Sequence, residues 1–194
     1  MISNDNPYII FKNWYKEACR EEINDPNAMT LSTISKNCKP SSRIVLLKDY
    51  DREGFIFYTN KNSKKGNSIK TNPYVALNFH WKSLLKQVRV EGKVTEVSKL
   101  EADKYFESRP EKSKIGAWAS YQSSKLNNRK ELLKNINYYS KKFNKTNIPR
   151  PPYWVGFKVK PTLIEFWQDM PFRLHDRLEY KKVRKQWIAK KLFP

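Results

Sequence analysis

The sequence predicts a mainly β fold with flanking helices, of the α+β class, and three observations lead to it. Short segments rich in Val, Ile, Phe and Tyr recur along the chain, with turn residues between them. Only a few segments carry the longer period of an amphipathic helix. The chain has no internal repeat and no Gly/Ser-rich linker. Many short strands with few helices are typical of a closed antiparallel β-barrel, and we expect one domain over residues 1–194.

A helix is expected at the start of the chain, within the segment 1–24. Asn6 suits the N-cap and Pro7 the first turn, and Ile10 and Trp14 then recur on one face. The residues before Pro7 lack the apolar core of a signal peptide, and no apolar run reaches the roughly 20 residues of a membrane span. We therefore expect a cytoplasmic protein without membrane association.

The other elements follow from alternation, capping and helix-breaking residues. Ser63 is expected to cap a short basic helix, and Ser98 with Glu101 forms a capping-box pattern. The predicted strands are 28–34, 43–48, 54–59, 74–79, 87–97, 153–160, 162–168 and 172–180, with a short one around Trp187, and the further helices are 63–71, 98–108, 114–120 and 128–143.

The charge of the chain and its numbers of Cys, His and Gly limit the classes of function that it can have. The chain has 39 Lys+Arg against 19 Asp+Glu, a formal charge of +20, which admits a non-enzymatic nucleic-acid-binding protein as an alternative. The basic residues are spread along the whole chain, which disfavours that alternative, while a positive field also attracts small phosphorylated ligands. Two Cys and two His give no basis for a metal site. With five glycines, the chain has neither a dinucleotide-binding G-x-G-x-x-G nor a P-loop.

Two basic segments are candidates for binding a phosphorylated ligand. On a strand from Arg43 to Lys48, the two cations lie about 16 Å apart, near the ends of an extended mononucleotide. Ser63, Lys64 and Lys65 offer a helix N-terminus, a hydroxyl and two cations to one phosphate. For both segments, solvated charges without a ligand are the alternative.

A third candidate consists of Tyr105, Arg109 and Ser113. Tyr105 and Arg109 share a helix face, and Ser113, which follows the helix-breaking Pro110, is expected to cap the next helix. Two hydroxyls and a guanidinium would then converge on a phosphate. The alternative is a core tyrosine with a charge at a helix end.

A fourth candidate is the segment from Arg173 to Arg177. Strand alternation places Arg173, His175 and Arg177 on one face, where an anionic ligand would offset their mutual repulsion. Trp167 lies just upstream and suits packing against a planar ring, with a core position as the alternative. The chain has no Ser/His/Asp arrangement, so these residues favour a phosphorylated planar ligand and chemistry supplied by a cofactor.

A series of motifs along the chain resembles one family. The motifs are RIVLLK (43–48), FYTN (57–60), QVRVEGKV (87–94), YFESRP (105–110), IGAW (115–118), QSS (122–124), EFWQ (165–168) and RLHDR (173–177). The combination covers residues 25–194 and is similar to pyridoxine (pyridoxamine) 5′-phosphate oxidases. The resemblance implies the FMN-binding type of split β-barrel and a homodimer with FMN at the subunit interface. It also implies oxidation of pyridoxine or pyridoxamine 5′-phosphate to pyridoxal 5′-phosphate, with O2 as acceptor and H2O2 as product.

The resemblance also assigns site residues, by motif match. Arg173 and His175 would be the catalytic pair that orients the substrate ring. The implied substrate contacts are Lys48, Tyr105, Arg109, Ser113, Arg173 and His175. The implied FMN contacts are Arg43, Ile44, Val45, Leu46, Leu47, Lys48, Tyr58, Thr59, Lys64, Lys65, Gln87, Gln122, Ser123, Trp167 and Arg177.

The sequence departs from the family pattern at several positions. Lys64 stands where the family usually has Arg, and Val155 and Asp169 stand where glycines are common. The loop 169–172 is unusual, and we expect no counterpart of the family's basic segment before the first helix, because that helix is expected to begin near Asn6. Within the flavin split barrels, a phenazine-type oxidase is kept as the alternative, although the two candidate groups around Arg109 and Arg173 disfavour it.

Overall fold

The computed structural model describes residues 6–143 and 147–194, so the predicted polar start of the chain lies outside the described residues. Its helices are α1 (Pro7–Glu21), α2 (Lys64–Thr71), α3 (Lys99–Glu107), α4 (Glu111–Ala119) and α5 (Arg129–Lys142). Its strands are β1 (Ala28–Ile34), β2 (Pro40–Leu46), β3 (Asp49–Asp51), β4 (Gly54–Asn60), β5 (Tyr74–Trp81), β6 (Lys86–Glu96), β7 (Trp154–Gln168), β8 (Asp176–Val183) and β9 (Gln186–Leu192).

All of these strands belong to one antiparallel sheet in the order β2-β1-β5-β6-β7-β4-β3, with β8 and β9 added beside β7. The long strand β7 determines this arrangement. It pairs with β6 along its length, with β4 through its first half, and with β8 through its second half. Its two ends therefore belong to different parts of the molecule.

The curled sheet is joined by the segment 40–51. Leu47 N–H donates to the carbonyl of Asn27 beside β1, and Lys48 N–H donates to the carbonyl of Ile56 in β4, both over 2.8 Å. At Leu47 and Lys48 the chain thus passes from β2, at one edge of the sheet, to β3, at the opposite edge. The result is a curled half-barrel, as expected, but the predicted strand 43–48 is wrong in its bounds, because β2 ends at Leu46.

The interior of the curled sheet is filled by the alternate side chains of the strands and closed by α1. Phe11 of α1 is fully buried against Phe55 and Phe79, at ring centroid distances of 4.8 and 5.2 Å. Burying a side chain of this size contributes roughly 1.5–3 kcal/mol. Asn6 caps α1 by accepting a hydrogen bond from Tyr8 N–H at 3.0 Å, as predicted.

The helices α3, α4 and α5 cover the outside of the first half of β7. Their contact is a second apolar cluster, separate from the interior of the sheet, formed by Phe106, Ile115, Ile148 and Trp154. Trp154 opens β7, so this cluster attaches the helices to one end of that strand. Among the described residues, no helix has the length and apolarity needed to cross a membrane.

Four further predicted elements differ from the structure. The strands 153–160 and 162–168 are one strand, because Pro161 lies opposite Gly92, where the register of the β6–β7 ladder shifts. A Cβ at Gly92 would lie 2.3 Å from the carbonyl oxygen of Lys160, so this crossing needs glycine. The helix expected to begin at Lys114 begins at Glu111. The strand expected over 172–180 begins only at Asp176.

Candidate functional site

A buried lysine forms the centre of the first part of the site. Lys65, in the first turn of α2, is 8% exposed, and its Nζ donates to Thr59 Oγ1 at 3.1 Å and to Ser63 Oγ at 3.3 Å. Ser63 is the N-cap of α2, as predicted. Burial lowers the pKa of Lys65, and the nearby charge of Arg43 lowers it further. The lysine is therefore held by neutral oxygens only.

Arg43 is fixed in the same way. Its Nη1 donates to the Leu31 carbonyl at 3.1 Å and to Thr33 Oγ1 at 2.8 Å, and its Nη2 donates to Ser41 Oγ at 2.8 Å. Burial lowers the pKa of Arg43. Among the described residues, neither Arg43 nor Lys65 has a carboxylate within ion-pair distance. Two cations held without counter-charge form a site for an anion such as a phosphate.

Gln122 connects this anion site to the segment after α4. Its Oε1 accepts a hydrogen bond from Thr59 Oγ1 at 3.1 Å. Next to it lies a cleft of about 560 Å³ whose lining includes Lys64, Gln122 and Ser123. Lys64 is exposed and has a freer side chain than Lys65. The structure thus brings Arg43, Thr59, Lys64, Lys65, Gln122 and Ser123 into one region, which we call the phosphate cluster.

The second part of the site is a cleft of about 400 Å³ beside the phosphate cluster. Thr59 and Gln122 belong to the cluster and also line this cleft. Arg109 lines it, with its guanidinium carbon 4.8 Å from the ring centroid of Trp154. Nη1 of Arg109 is buried without a hydrogen-bond partner among the described residues, and burial lowers the pKa of this side chain. An unpaired buried guanidinium group is costly, so it marks a place for an anionic ligand.

Stacked aromatic rings form the wall of this cleft. Tyr58 stacks on Tyr105 at 4.1 Å and on Trp154 at 5.0 Å. The ring of Tyr58 lies against Gly156, where a Cβ would come within 2.6 Å of it. Ser113 also lines the cleft, but its predicted role as a helix cap is wrong, because Pro110 occupies the N-cap position.

The remaining implied FMN contacts of the RIVLLK motif lie along β2 and its end. Ile44 and Leu46 are exposed, Val45 is half-buried, Leu47 is buried and Lys48 is exposed. The backbone of Leu47 and Lys48 is engaged in the two hydrogen bonds that join the sheet edges. Lys48 therefore has a fixed backbone and an exposed side chain.

A separate group lies at the far end of β7, and we call it the Trp167 cluster. Trp167 pairs in register with Gln87 of β6 on one side and with Arg177 of β8 on the other. Arg177 Nε donates to Glu165 Oε1 at 2.8 Å, which raises the pKa of the guanidinium. Arg89 Nη1 donates to Glu165 Oε2 at 3.0 Å. The members of the Trp167 cluster are Gln87, Arg89, Glu165, Trp167, His175 and Arg177. Arg173 precedes His175 by two residues and is exposed.

Glu165 was not among the residues predicted from the sequence. Its side chain is 3% exposed, and it is the carboxylate that two arginines share. A single carboxylate inside the otherwise apolar segment 163–167 of β7 was the available signal. Buried carboxylates are rare unless paired, so the position itself implied a cationic partner.

The predicted common face of Arg173, His175 and Arg177 is wrong. Only Arg177 lies on β8, while Arg173 ends a short 3-10 turn in which Phe172 and Arg173 have φ values of 59° and 62°. Left-handed backbone at two successive residues breaks the alternation of a strand. His175 instead packs against Trp167, with ring centroids 4.6 Å apart, and Arg173 is exposed.

The phosphate cluster and the Trp167 cluster lie at opposite ends of β7. Trp154, beside the first cluster, and Trp167, in the second, are thirteen residues apart on one strand. At about 3.3 Å per residue, that is roughly 43 Å along the strand. The two clusters therefore do not form one compact site along β7.

The fold is the split β-barrel of FMN-binding proteins. An FMN-binding, pyridoxamine 5′-phosphate oxidase-related protein from Nostoc punctiforme superposes with a TM-score of 0.78 over 98% of this chain and 99% of its own, at 13% identity. The chain belongs to the pyridoxamine 5′-phosphate oxidase family. The family's sequence model matches residues 15–143, and residues 154–194 match the pyridoxine 5′-phosphate oxidase C-terminal dimerisation region.

Full-length relatives agree with this family. The chain is 49% identical to the pyridoxine/pyridoxamine 5′-phosphate oxidase of Caulobacter vibrioides, over 100% of this chain and 87% of the relative. It is 51% identical to that of Pelagibacter ubique, over 97% and 92%. Among solved structures, PhzG from Burkholderia lata 383, in complex with tetrahydrophenazine-1-carboxylic acid, has a TM-score of 0.92 at 28% identity, over 97% of this chain and 93% of its own.

Proposed function

We propose that the chain is an FMN-dependent oxidase that converts pyridoxine or pyridoxamine 5′-phosphate to pyridoxal 5′-phosphate, with O2 as acceptor and H2O2 as product. The observation that carries the proposal is that two cationic positions have no carboxylate within ion-pair distance in the part of the chain that the structure describes. Lys65 with Arg43 forms one, and Arg109 forms the other. A phosphorylated flavin and a phosphorylated substrate require two such positions. The names of the relatives support the choice of substrate.

The phosphate cluster fits the phosphate of FMN. Lys65 and Arg43 would supply charge, while Thr59, Gln122 and Ser123 would supply polar contacts, with Lys64 at the exposed rim. FMN, when bound, would accept the hydride from C4′ of the substrate and pass the electrons to O2.

The Arg109 cleft fits the phosphate of the substrate. Arg109, Tyr105, Ser113 and Lys48 would hold that group, with the guanidinium of Arg109 kept in place by Trp154. Arg173 and His175 would orient the pyridine ring. Their contribution would be proximity and charge placement, since the protein needs no nucleophile of its own for hydride transfer.

A homodimer would complete the site, with FMN at the interface. The Trp167 cluster lies within the region 154–194, which matches the dimerisation region of the family. In a two-fold symmetric dimer, the Trp167 cluster of each protomer can contact the phosphate cluster of the other protomer, so that two identical sites form. Trp167, Gln87 and Arg177 of one protomer would then contact the flavin that the phosphate cluster of the other protomer holds.

The spectrum of the purified protein tests the proposal. A yellow protein whose flavin absorption is bleached by pyridoxine 5′-phosphate without oxygen, and recovers with H2O2 release when air is admitted, would support it. A flavin-loaded protein that is not reduced by either phosphorylated vitamer would contradict it.

One observation favours a second candidate. The likeness to PhzG is close in structure, and that protein's structure contains a phenazine carboxylic acid. Arg109 could bind a carboxylate as well as a phosphate. Turnover of a reduced phenazine carboxylate at a higher kcat/KM than pyridoxine 5′-phosphate would favour the phenazine-type oxidase.

A further inference from the structure

His175 is held by its own loop and by Trp167, and one of its contacts is a carboxylate. Asp169 Oδ1 lies 2.8 Å from His175 Nδ1. The ring of Trp167 packs on the imidazole at 4.6 Å with a tilt of 44°. The backbone N–H of Met170 donates a hydrogen bond to the same Nδ1 at 3.3 Å. The side chain of His175 is 18% exposed, so the orientation of its ring depends on these neighbours.

Asp169 and Met170 require opposite protonation states of Nδ1. A carboxylate needs a proton on that nitrogen, whereas an amide N–H needs a lone pair there. The carboxylate contact is 2.8 Å and the amide contact 3.3 Å. Charge-assisted hydrogen bonds are shorter and roughly twice as strong as neutral ones. The shorter contact to the carboxylate therefore favours a proton on Nδ1, facing Asp169.

We propose that Asp169 is a positioning residue for His175: it fixes the Nδ1–H tautomer and leaves Nε2 as the nitrogen that meets the substrate. The role in turnover rests on the proposed function, whereas the tautomer does not. Among residues 6–143 and 147–194, no group forms a hydrogen bond with Nε2. In the neutral ring, Nε2 then accepts a hydrogen bond from a hydroxyl or amine of the substrate, because the partner of one ring nitrogen determines the state of the other.

Hydrogen bonds attach the main chain at Asp169 to a neighbouring turn. Asp169 N–H donates to the Leu85 carbonyl at 2.9 Å, and Gln168 Nε2 donates to the carbonyls of Leu84 and Leu85, both at 3.3 Å. The residue proposed to orient His175 is thus attached to the turn between β5 and β6.

Nitrogen NMR tests the tautomer directly. The chain has only two histidines, so a two-bond 15N–1H correlation of the labelled protein shows two imidazoles, and His80→Gln identifies His175. At about pH 8, where an ordinary histidine is neutral, we expect a protonated Nδ1 in the native protein. In Asp169→Ala we expect the proton to move to Nε2, with Nδ1 accepting from Met170. An unchanged His175 spectrum in Asp169→Ala would overturn the proposal.

Kinetics of the FMN-loaded protein test the consequence. Asp169→Ala should lower kcat/KM by about tenfold, the equivalent of one partly exposed hydrogen bond to a charged group, with the loss mainly in kcat. Asp169→Asn keeps an acceptor for Nδ1–H and should retain most of the rate. Asp103→Asn removes a surface carboxylate that pairs with Arg150 at 2.6 Å and should leave both readouts unchanged.

The two readouts separate the possible failures. If the native protein does not oxidise the phosphorylated vitamers, the proposed function fails, while the NMR result still decides the tautomer. If native turnover is normal and Asp169→Ala matches it within twofold, the positioning role is rejected. An equal loss in Asp169→Asn and Asp169→Ala would also reject it, because the tautomer would then not be what matters.

Discussion

The guanidinium of Arg109 stacks on the indole of Trp154 at 4.8 Å, while no described residue offers a hydrogen-bond partner to its buried Nη1. The ring contact fixes the plane of the guanidinium group and attaches it to the end of β7. The unpaired nitrogen keeps a donor available in the 400 Å³ cleft. A guanidinium group held in this way should bind an anion with a large gain in free energy, because binding removes the cost of leaving the buried nitrogen unpaired.

Arg109→Met should therefore weaken use of the phosphorylated substrate selectively. We expect kcat/KM for pyridoxine 5′-phosphate to fall about 100-fold, equivalent to ~2.7 kcal/mol, which is the usual contribution of a hydrogen bond to a charged group. FMN binding should stay within threefold. Steady-state kinetics and FMN titration measure the two effects.

Unphosphorylated pyridoxine serves as the control substrate for this variant. Its turnover should be slow in the native protein and almost unaffected by Arg109→Met, because it lacks the group that Arg109 binds. An equal loss with both substrates would place Arg109 outside the substrate phosphate site.

Lys65→Met should weaken FMN binding without destabilising the apoprotein. The variant removes a buried cation that contacts only hydroxyl groups, so we expect FMN affinity to fall about 10–100-fold. The exposed Lys64→Ala should weaken FMN retention by less, and should alter KM little. A larger loss of FMN affinity in Lys64→Ala than in Lys65→Met would contradict this assignment.

The pH dependence of apoprotein stability gives a second test of Lys65. Burial lowers its folded pKa below the ordinary 10.5, so near pH 7 the unfavourable charged form is present and Lys65→Met should be the more stable protein. As the pH rises through the lowered pKa towards 10.5, the folded native protein loses this proton first, and the difference should shrink. Urea denaturation of both proteins at about pH 7 and pH 10 measures the change. A difference that grows with pH would be inconsistent with a lowered pKa.

Local sequence signals predicted much of this fold because the interactions behind them are local. Asn6, Ser63, Ser98 and Asn128 each cap a helix through a contact two or three residues away. The crossing of the chain from one sheet edge to the other at Leu47 and Lys48 depends on Asn27 and Ile56. The alternation of side chains along one strand does not show which distant residues its end will contact. The predicted end of β2 was therefore misplaced.

The candidate site also contains both residues that local sequence patterns indicated and residues whose role depends on distant contacts. Lys65 with Ser63 and Tyr105 with Arg109 are close in sequence, and pattern alone indicated them. Glu165 acquires its role from Arg89, which is 76 residues away in the sequence, so only the ladder between β6 and β7 reveals it. The residues of the FMN and substrate sites that came from family motifs remain predictions until ligands are bound.

Glu165→Gln tests whether this carboxylate holds the Trp167 cluster together. Loss of the charge leaves Arg89 and Arg177 without their shared partner. Breaking a fully buried pair costs about 3–5 kcal/mol, and we expect about 1–3 kcal/mol here, because the arginine side chains are partly exposed. Glu91→Gln removes only an exposed contact to Arg89 and should change the free energy of unfolding by less than about 0.5 kcal/mol. Equal effects of the two variants in urea denaturation would show that Glu165 has no special role.

Arg173→Ala should separate cofactor binding from turnover. Arg173 is exposed and has a φ of 62°, and alanine meets the same backbone cost as arginine there, so the fold should be retained. We expect FMN to stay bound with unchanged affinity, because Arg173 is outside the phosphate cluster, while kcat falls by about 100-fold through lost orientation of the substrate ring. Arg173→Lys should recover part of the rate, since it restores the charge but not the planar donor pair. Rapid-mixing measurement of flavin reduction without oxygen isolates this step from reoxidation. An unchanged reduction rate at saturating pyridoxine 5′-phosphate would remove Arg173 from the catalytic pair and leave His175 as the residue that orients the ring.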